Sequence, residues 1–296
     1  MADLHAHIGN FLGCGEDFTH YGKCSVRDTL IVNCGGLRIR LVQREDVVRG
    51  NMSDFVDRFV ESTRAEISNL VPDGLVHALK VLDSVCWLLS FASQSGVVRY
   101  RYEYPAGSNL GQVRAVGGSA NYFRPVIDIR DGRETIMFVE SCYASYEQLE
   151  RKRKLKVVFD YLVQAERRHQ PTELKLLISF VVLENLKSTF ARSAGIPYKK
   201  GFFMKVPKPS NGDARYSFEE LLLLMFKTVK MKKGLKRVIK LRNEMIHSGI
   251  SIKSHEWQWK KYEHLQHLIR EYILRLLNYR GYYQTFRGRG NERVEL

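Results

Sequence analysis

The sequence predicts an α+β domain followed by an all-α helical bundle, and three observations carry that expectation. The chain has 296 residues, 44 % of them apolar, which exceeds the usual length of one domain and can fill two cores. Near Tyr146 the apolar spacing changes from a mixture of strand and helix periods to the helical period alone. Charge divides at the same place: residues 1–150 carry 15 Lys and Arg against 19 Asp and Glu, whereas residues 151–296 carry 32 against 13. The boundaries that follow are residues 1–144 for the α+β domain, 145–285 for the helical domain and 286–296 for a basic, flexible tail.

In the first half, "TLIVNC" and "GLRIRLVQ" predict strands, the second because Leu37, Ile39 and Leu41 alternate with Arg38 and Arg40. "SDFVDRFVESTRAEISNL" is predicted as a helix with Ser53 as its N-cap, and "GLVHALKVLDSVCWLLSFAS" as a second helix. "VVRYRYEY" places Val98, Tyr100, Tyr102 and Tyr104 on one strand face, and "PVIDIR" and "ETIMFVE" predict two further strands around a "DGR" turn.

In the second half, helices are predicted over residues 146–169, 172–193, 217–231, 234–248 and 254–280. Pro171, the Ser217 to Glu220 capping box, Gly249 and the loop "GIPYKKGFFMKVPKPSNGD" mark their ends. The tail "YRGYYQTFRGRGNE" mixes arginine with aromatic residues, as flexible nucleic-acid-binding segments do and as frayed termini also do.

Several function classes are disfavoured. The five cysteines are odd in number, lie in the first half and form no C-x-x-C pair, so neither a disulfide framework nor a zinc ribbon is indicated and a reducing, cytoplasmic setting is expected. The start "MADLHAHIGN" lacks the pattern of a targeting segment, and the runs "VCWLL" and "LLLLMF" are too short to span a bilayer. His5, His7, Cys14, His20 and Cys24 are a local His/Cys group whose spacings match no compact ligand pattern, so no metal is assigned. There is no G-x-x-x-x-G-K-[ST] stretch, and no cofactor is called for.

The excess positive charge of the second half suits a surface that meets phosphates, although a solvated basic face or a membrane-facing surface has the same composition. Lys230, Lys232, Lys233, Lys236, Arg237 and Lys240 are the candidate RNA-backbone contacts, with "RKRKLK" at Arg151 to Lys156 as a second basic run. The helix that carries half of the first group ends in an unusual way. "GLKRVIKLRNEMIHSGI" has a good apolar stripe, yet places Arg242, Asn243 and His247 within one and a half turns. At about 100° per residue Asn243 and His247 share a face, and Arg242 lies roughly 140° from His247, a gap that a long guanidinium partly bridges. The helix C-terminus would favour a protonated His247.

Arg, then Asn, then His five residues after the Arg, near the end of a helix in a C-terminal α-bundle, resembles the R-x4-6-H motif of the HEPN superfamily. The resemblance covers about residues 146–285, including "TELKLLISFVVLENLKSTFARS" with Glu184. The whole arrangement, with an α+β half in front, is similar less specifically to ApeA-type antiphage defence proteins of bacteria. The resemblance implies a HEPN-like bundle acting as a metal-independent endoribonuclease, a homodimer in which two copies of the motif face each other. His247 would move protons, Arg242 would neutralise phosphoryl charge, Asn243 would position His247 or the phosphate, and Glu184 would orient Arg242 or His247. RNA is the expected substrate, a phage-derived or other trigger is expected at the N-terminal domain, and no membrane partner is expected. A HEPN-like module that binds RNA or a partner without cutting is the leading alternative, and an adaptor docking on membrane or DNA is a third.

Overall fold

Alternation is plainest at the N-terminus, where Leu4, Ala6 and Ile8 are fully buried while Asp3, His5 and His7 face the other way. In the computed structural model of the chain, residues 1–21, 24–108, 120–121, 124–205, 215–231, 236–248, 253–287 and 290–296 are described. Strands β1 (Ala2–Gly9), β2 (Asp17–Tyr21), β3 (Cys24–Cys34), β4 (Leu37–Gln43), β5 (Glu61–Leu70) and β6 (Val98–Glu103) form one sheet in the order β2-β3-β4-β5-β1-β6. Every neighbouring pair is antiparallel, with Ala6 opposite both Ala65 and Tyr102, and Leu30 opposite Leu41. A short helix α1 (Glu45–Arg49) follows β4.

Helices α2 (Leu75–Ser93) and α3 (Gly132–Arg153) cover the apolar face of the sheet. Val81, Leu82, Val85 and Leu88 of α2 and Phe138, Val139 and Cys142 of α3 are buried, and Glu140 of α3 accepts hydrogen bonds from the backbone and side chain of Asn33 on β3. Arg99 of β6 is also buried, which is tolerable because Asp83 of α2 takes its guanidinium in a bidentate pair at 2.9 Å. By length and composition the segment Pro72–Ser93 is apolar enough to cross a membrane, contrary to the expectation from short apolar runs; 61 % of it is buried, as befits a core helix.

Two compact units emerge. The first comprises Met1–Glu147, Glu166–His169 and Asn278–Leu296, and the second Gln148–Ala165 with Gln170–Leu277. Within the second, α4 (Leu155–Ala165), α6 (Phe218–Thr228), α7 (Lys236–Ser248) and α8 (His255–Leu276) all pack against a central α5 (Thr172–Ser193). Between α5 and α6 lies a small hairpin of β7 (Tyr198–Lys199) and β8 (Phe202–Phe203). The bundle core is Phe159, Phe180, Leu183, Leu222, Phe226, Leu241, Met245 and Ile269, with Lys175 and Tyr262 both donating to the Ala165 carbonyl at the end of α4.

The structure thus confirms an α+β half followed by a mainly helical half, and it corrects several elements. Ser53 to Leu70 is not a helix: a single 3-10 turn at Met52–Asp54 precedes β5, which gains hydrogen-bonded partners on both edges and carries β-branched Thr63 and Ile67 inward. "ETIMFVE" begins α3 because Asp131 caps it, accepting from the backbone N–H of Arg133 and Glu134. "PVIDIR" forms no strand; Val126 and Ile127 donate instead to the Ala92 carbonyl. The helix expected over 146–169 is split between α3 and α4 at Lys154, whose φ is +51°.

The tail expected to be flexible is a hairpin of β9 (Tyr282–Arg287) and β10 (Gly290–Glu295) that belongs to the first unit. Gln284 donates to the Val126 carbonyl at 2.7 Å, Tyr283 and Thr285 are buried, and Arg293 pairs with Glu134.

Candidate functional site

The stripe of α7 places Val238, Leu241 and Met245 in the core, so the next residue after Leu241 falls at the edge of the buried face. That residue is Arg242. Its guanidinium lies over the Phe218 ring, 4.7 Å from the centroid, and its Nη1 donates to Asn243 Oδ1 at 3.1 Å. Phe218 is set there by the start of α6, where Ser217 Oγ accepts from Glu220 N and Glu220 accepts from Ser217 N in the expected capping box.

Across from Arg242, α5 supplies Glu184, Lys187 and Ser188. Glu184 Oε1 takes Lys187 Nζ and, at 3.5 Å, the Ser188 hydroxyl, while Glu184 Oε2 stands 3.6 Å from Arg242 Nη2. One carboxylate therefore sits between two cations, and the Phe218 ring lies under both, with Lys187 Nζ at 5.1 Å from its centroid. The 3.6 Å separation holds Arg242 electrostatically without a short hydrogen bond. Among the described residues the guanidinium spends one hydrogen bond on Asn243, which leaves N–H donors to meet an anion.

The structure brings Arg242, Asn243 and Glu184 together. His247 is on α7, one turn beyond Asn243, but its side chain lies outside the described residues, as does Gly249. Of the candidate RNA contacts, Lys230 is exposed in a left-handed turn after α6 (φ +57°) and Lys240 is exposed on α7. Lys236 and Arg237 are on α7 with side chains outside the described residues, and Lys232 and Lys233 lie outside them altogether. In the second basic run Arg151, Lys152, Lys154 and Lys156 are exposed, whereas Arg153 is buried and donates to the Leu186 carbonyl, Thr189 and the Tyr272 hydroxyl. Arg153 is a strut of the bundle, not a phosphate contact.

The His/Cys group of the N-terminus is spread out. His5 and His7 are on β1 and His20 on β2, with β3, β4 and β5 between, about 19 Å at the usual strand spacing. Among the described residues no three His, Cys, Asp or Glu side chains converge as metal ligands would. Burial pushes the Cys34, Cys86 and Cys142 thiols up to about 12, so none of the three offers a thiolate nucleophile at neutral pH.

Sequence reasoning missed Lys187 and Phe218. Lys187 had a signal, since it stands three residues after Glu184 on one helix; Phe218 had none, because its contact with Arg242 joins two separate helices. No protein-family model, curated protein or solved structure matches the chain.

Proposed function

We propose that this chain is a metal-independent endoribonuclease with a HEPN-like C-terminal bundle. One observation carries the reading: Arg242, next to Asn243 on α7, is anchored between Glu184 and Phe218, with N–H donors to spare among the described residues. A fixed cation of this kind suits the transition state of 2′-hydroxyl attack on the adjacent 3′-phosphate, where charge grows on the phosphoryl oxygens. His247 would take the 2′-hydroxyl proton or give one to the leaving 5′-oxygen, and Asn243 would orient His247 or the phosphate. Glu184 is the positioning group for Arg242, and it pairs with Lys187 as well.

A homodimer completes the proposal, because one copy of the motif offers a single His where two proton-transfer groups are useful. What supports a second copy is the face of α5 leading to Glu184, where Leu174 and Val181 are 41 % and 49 % exposed and Leu177 and Ile178 are half-buried between them. The α+β unit is read as the part that senses a phage-derived or other trigger in a bacterial cytoplasm, in an antiphage or toxin-like effector.

The test is incubation of the purified chain with total RNA in excess EDTA, followed by end-group analysis. Cleavage leaving 2′,3′-cyclic phosphate and 5′-hydroxyl ends is expected. Cleavage that depends strictly on Mg²⁺, or no cleavage by a folded dimer, sinks the reading.

A further inference from the structure

The hairpin of β7 and β8 exposes two large rings, Tyr198 at 53 % and Phe202 at 46 %, on a part of the second unit where neither fills a core. The register explains their placement. Tyr198 is opposite Phe203 and Lys199 opposite Phe202, so the two exposed rings stand on opposite faces of the hairpin, with Lys199 and Lys200 between them at its tip. A guanidinium covers each ring: Arg192 lies 5.5 Å from the Tyr198 centroid and Arg215 4.4 Å from that of Phe202. Nearby, Lys205 lies 5.6 Å over Tyr216 and pairs with Glu220, the carboxylate already engaged in capping α6.

This pattern continues toward Arg242. Tyr198 contacts the Phe203 ring at 4.9 Å between centroids, Lys187 Nζ stands 6.0 Å over Phe203 and 5.1 Å over Phe218, and Arg242 is 4.7 Å over Phe218. A continuous series of ring and cation contacts thus links the hairpin to the anchored arginine, through Phe203 and Lys187, which are buried.

We propose that the β7–β8 hairpin is a docking platform for single-stranded RNA, with bases stacking on Tyr198 and Phe202 and phosphates meeting Arg192, Lys199, Lys200 and Arg215. The RNA character of the ligand rests on the ribonuclease reading above; the platform itself rests on the rings and cations. Alternating stackable faces and positive charge match a flexible chain of bases and phosphates. Rings on opposite faces select a single strand, because only a flexible strand bends over the hairpin tip to reach both, whereas a duplex keeps its bases stacked inside. A bilayer meets one side of a hairpin, and an acidic protein surface supplies no base to stack; both are outcomes that the experiment separates.

Affinity is measured on the His247→Ala chain, so that the probe survives, by fluorescence anisotropy of a labelled oligouridine of about a dozen nucleotides. Tyr198→Ala with Phe202→Ala is expected to weaken binding about tenfold or more, since each stacked base is lost separately. Tyr198→Trp with Phe202→Trp is expected to keep the affinity and to show tryptophan quenching on addition of the oligonucleotide, which shows that the rings act by stacking and that the hairpin still folds. Duplex RNA is expected to bind more weakly than the single strand. Equal affinity of the alanine and parent chains overturns the platform, as does ring-dependent capture of anionic phosphatidylserine vesicles in place of RNA. If the oligonucleotide needs the rings but the wild-type chain cuts no RNA, the platform stands and the nuclease reading falls; if RNA is cut and the alanine chain binds normally, the reverse holds.

Discussion

The open sheet face of the first unit and the aromatic hairpin of the second are both rich in arginine, and they hold it in opposite ways. On the sheet, carboxylates take cations from the same strand and from the next: Glu66 takes Arg40 of β4 at 2.7 Å and Arg64 of its own β5 at 2.6 Å, and Glu103 takes Arg101 of its own β6 at 2.7 Å. His7 stands between Glu61 and Glu103, 3.2 Å from each. In the second unit Arg192, Arg215 and Arg242 lie over rings, which help to orient a guanidinium, and Arg242 has only the longer contact of 3.6 Å to the Glu184 carboxylate. Short ion pairs tie a sheet face together and project little field; a cation held mainly by a ring keeps more of its field for a ligand. The same residue type is structural in one unit and suited to recognition in the other.

The largest effect that tests this contrast is on cleavage. Arg242→Ala and His247→Ala are each expected to lower the rate about a hundredfold or more with the fold retained, and Phe218→Leu, which leaves Arg242 without its ring, about tenfold. Arg64→Ala on the sheet is expected to stay within about twofold of wild type. Rates from single-turnover cleavage, with circular dichroism as a check of folding, decide it. A larger loss from Arg64→Ala than from Arg242→Ala would reverse the assignment of roles. Unfolding of both the Arg242→Ala and His247→Ala chains would make that pair structural.

Salt dependence sharpens the same contrast at smaller magnitude. If the second unit tracks an RNA backbone, affinity falls steeply with salt, and Lys230→Gln with Lys240→Gln should make the logarithmic slope shallower by about 1.4 when both meet phosphates of a single strand. Arg40→Gln with Arg64→Gln should leave the slope where it was, since those two guanidinium groups share the Glu66 carboxylate on the sheet of the first unit, whereas the proposed phosphate contacts belong to the second. Anisotropy titrations of the same oligonucleotide between about 50 and 200 mM salt measure both. A slope that changes with the sheet pair and not with the lysines would place the phosphate contacts in the wrong unit.

What was legible follows from how locally each feature is encoded. Thr172–Ser193 and the start of α6 were visible because Pro171 and the Ser217 capping box mark them within a few residues. β5 was misread because its helix-like spacing is overruled by partners far away in sequence, β1 and β4. The hairpin at the C-terminus was misread for the same reason, since its basic composition says nothing of the Val126 carbonyl that holds it. At the site, Arg242 and Asn243 stood out by spacing along one helix. The Glu184 contact was a guess from resemblance, and the ring of Phe218 is a tertiary fact that no local pattern announces.

The smallest effect concerns acid stability of the first unit. Burial alone raises the Glu66 carboxyl, but the hydrogen bond from Arg40 and the charge and hydrogen bond of Arg64 outweigh it and hold the group below the usual glutamate range. At Glu61, burial is likewise outweighed by hydrogen bonds from Tyr100 and His7 and by the Arg44 charge, so that carboxyl also titrates low. A carboxyl with a lowered folded pKa binds fewer protons when folded than when unfolded. Its stabilisation is therefore present above the unfolded value of about 4.3 and is lost as pH falls through the lower folded value. Glu66→Gln removes one such term and leaves Arg40 and Arg64 facing each other, so at pH 7 it should cost about 0.5–1 kcal/mol, as exposed pairs do. Below about pH 4 the gap between variant and wild type should narrow, because protonation removes the same charge from Glu66. Trp87 is the single tryptophan of the first unit, so its fluorescence in a Trp257→Phe/Trp259→Phe chain follows that unit alone during urea unfolding at a series of pH values. A gap that widens toward acid would mean that the sheet face is held by something other than its cross-strand ion pairs, and the contrast between the two kinds of arginine would lose its structural half.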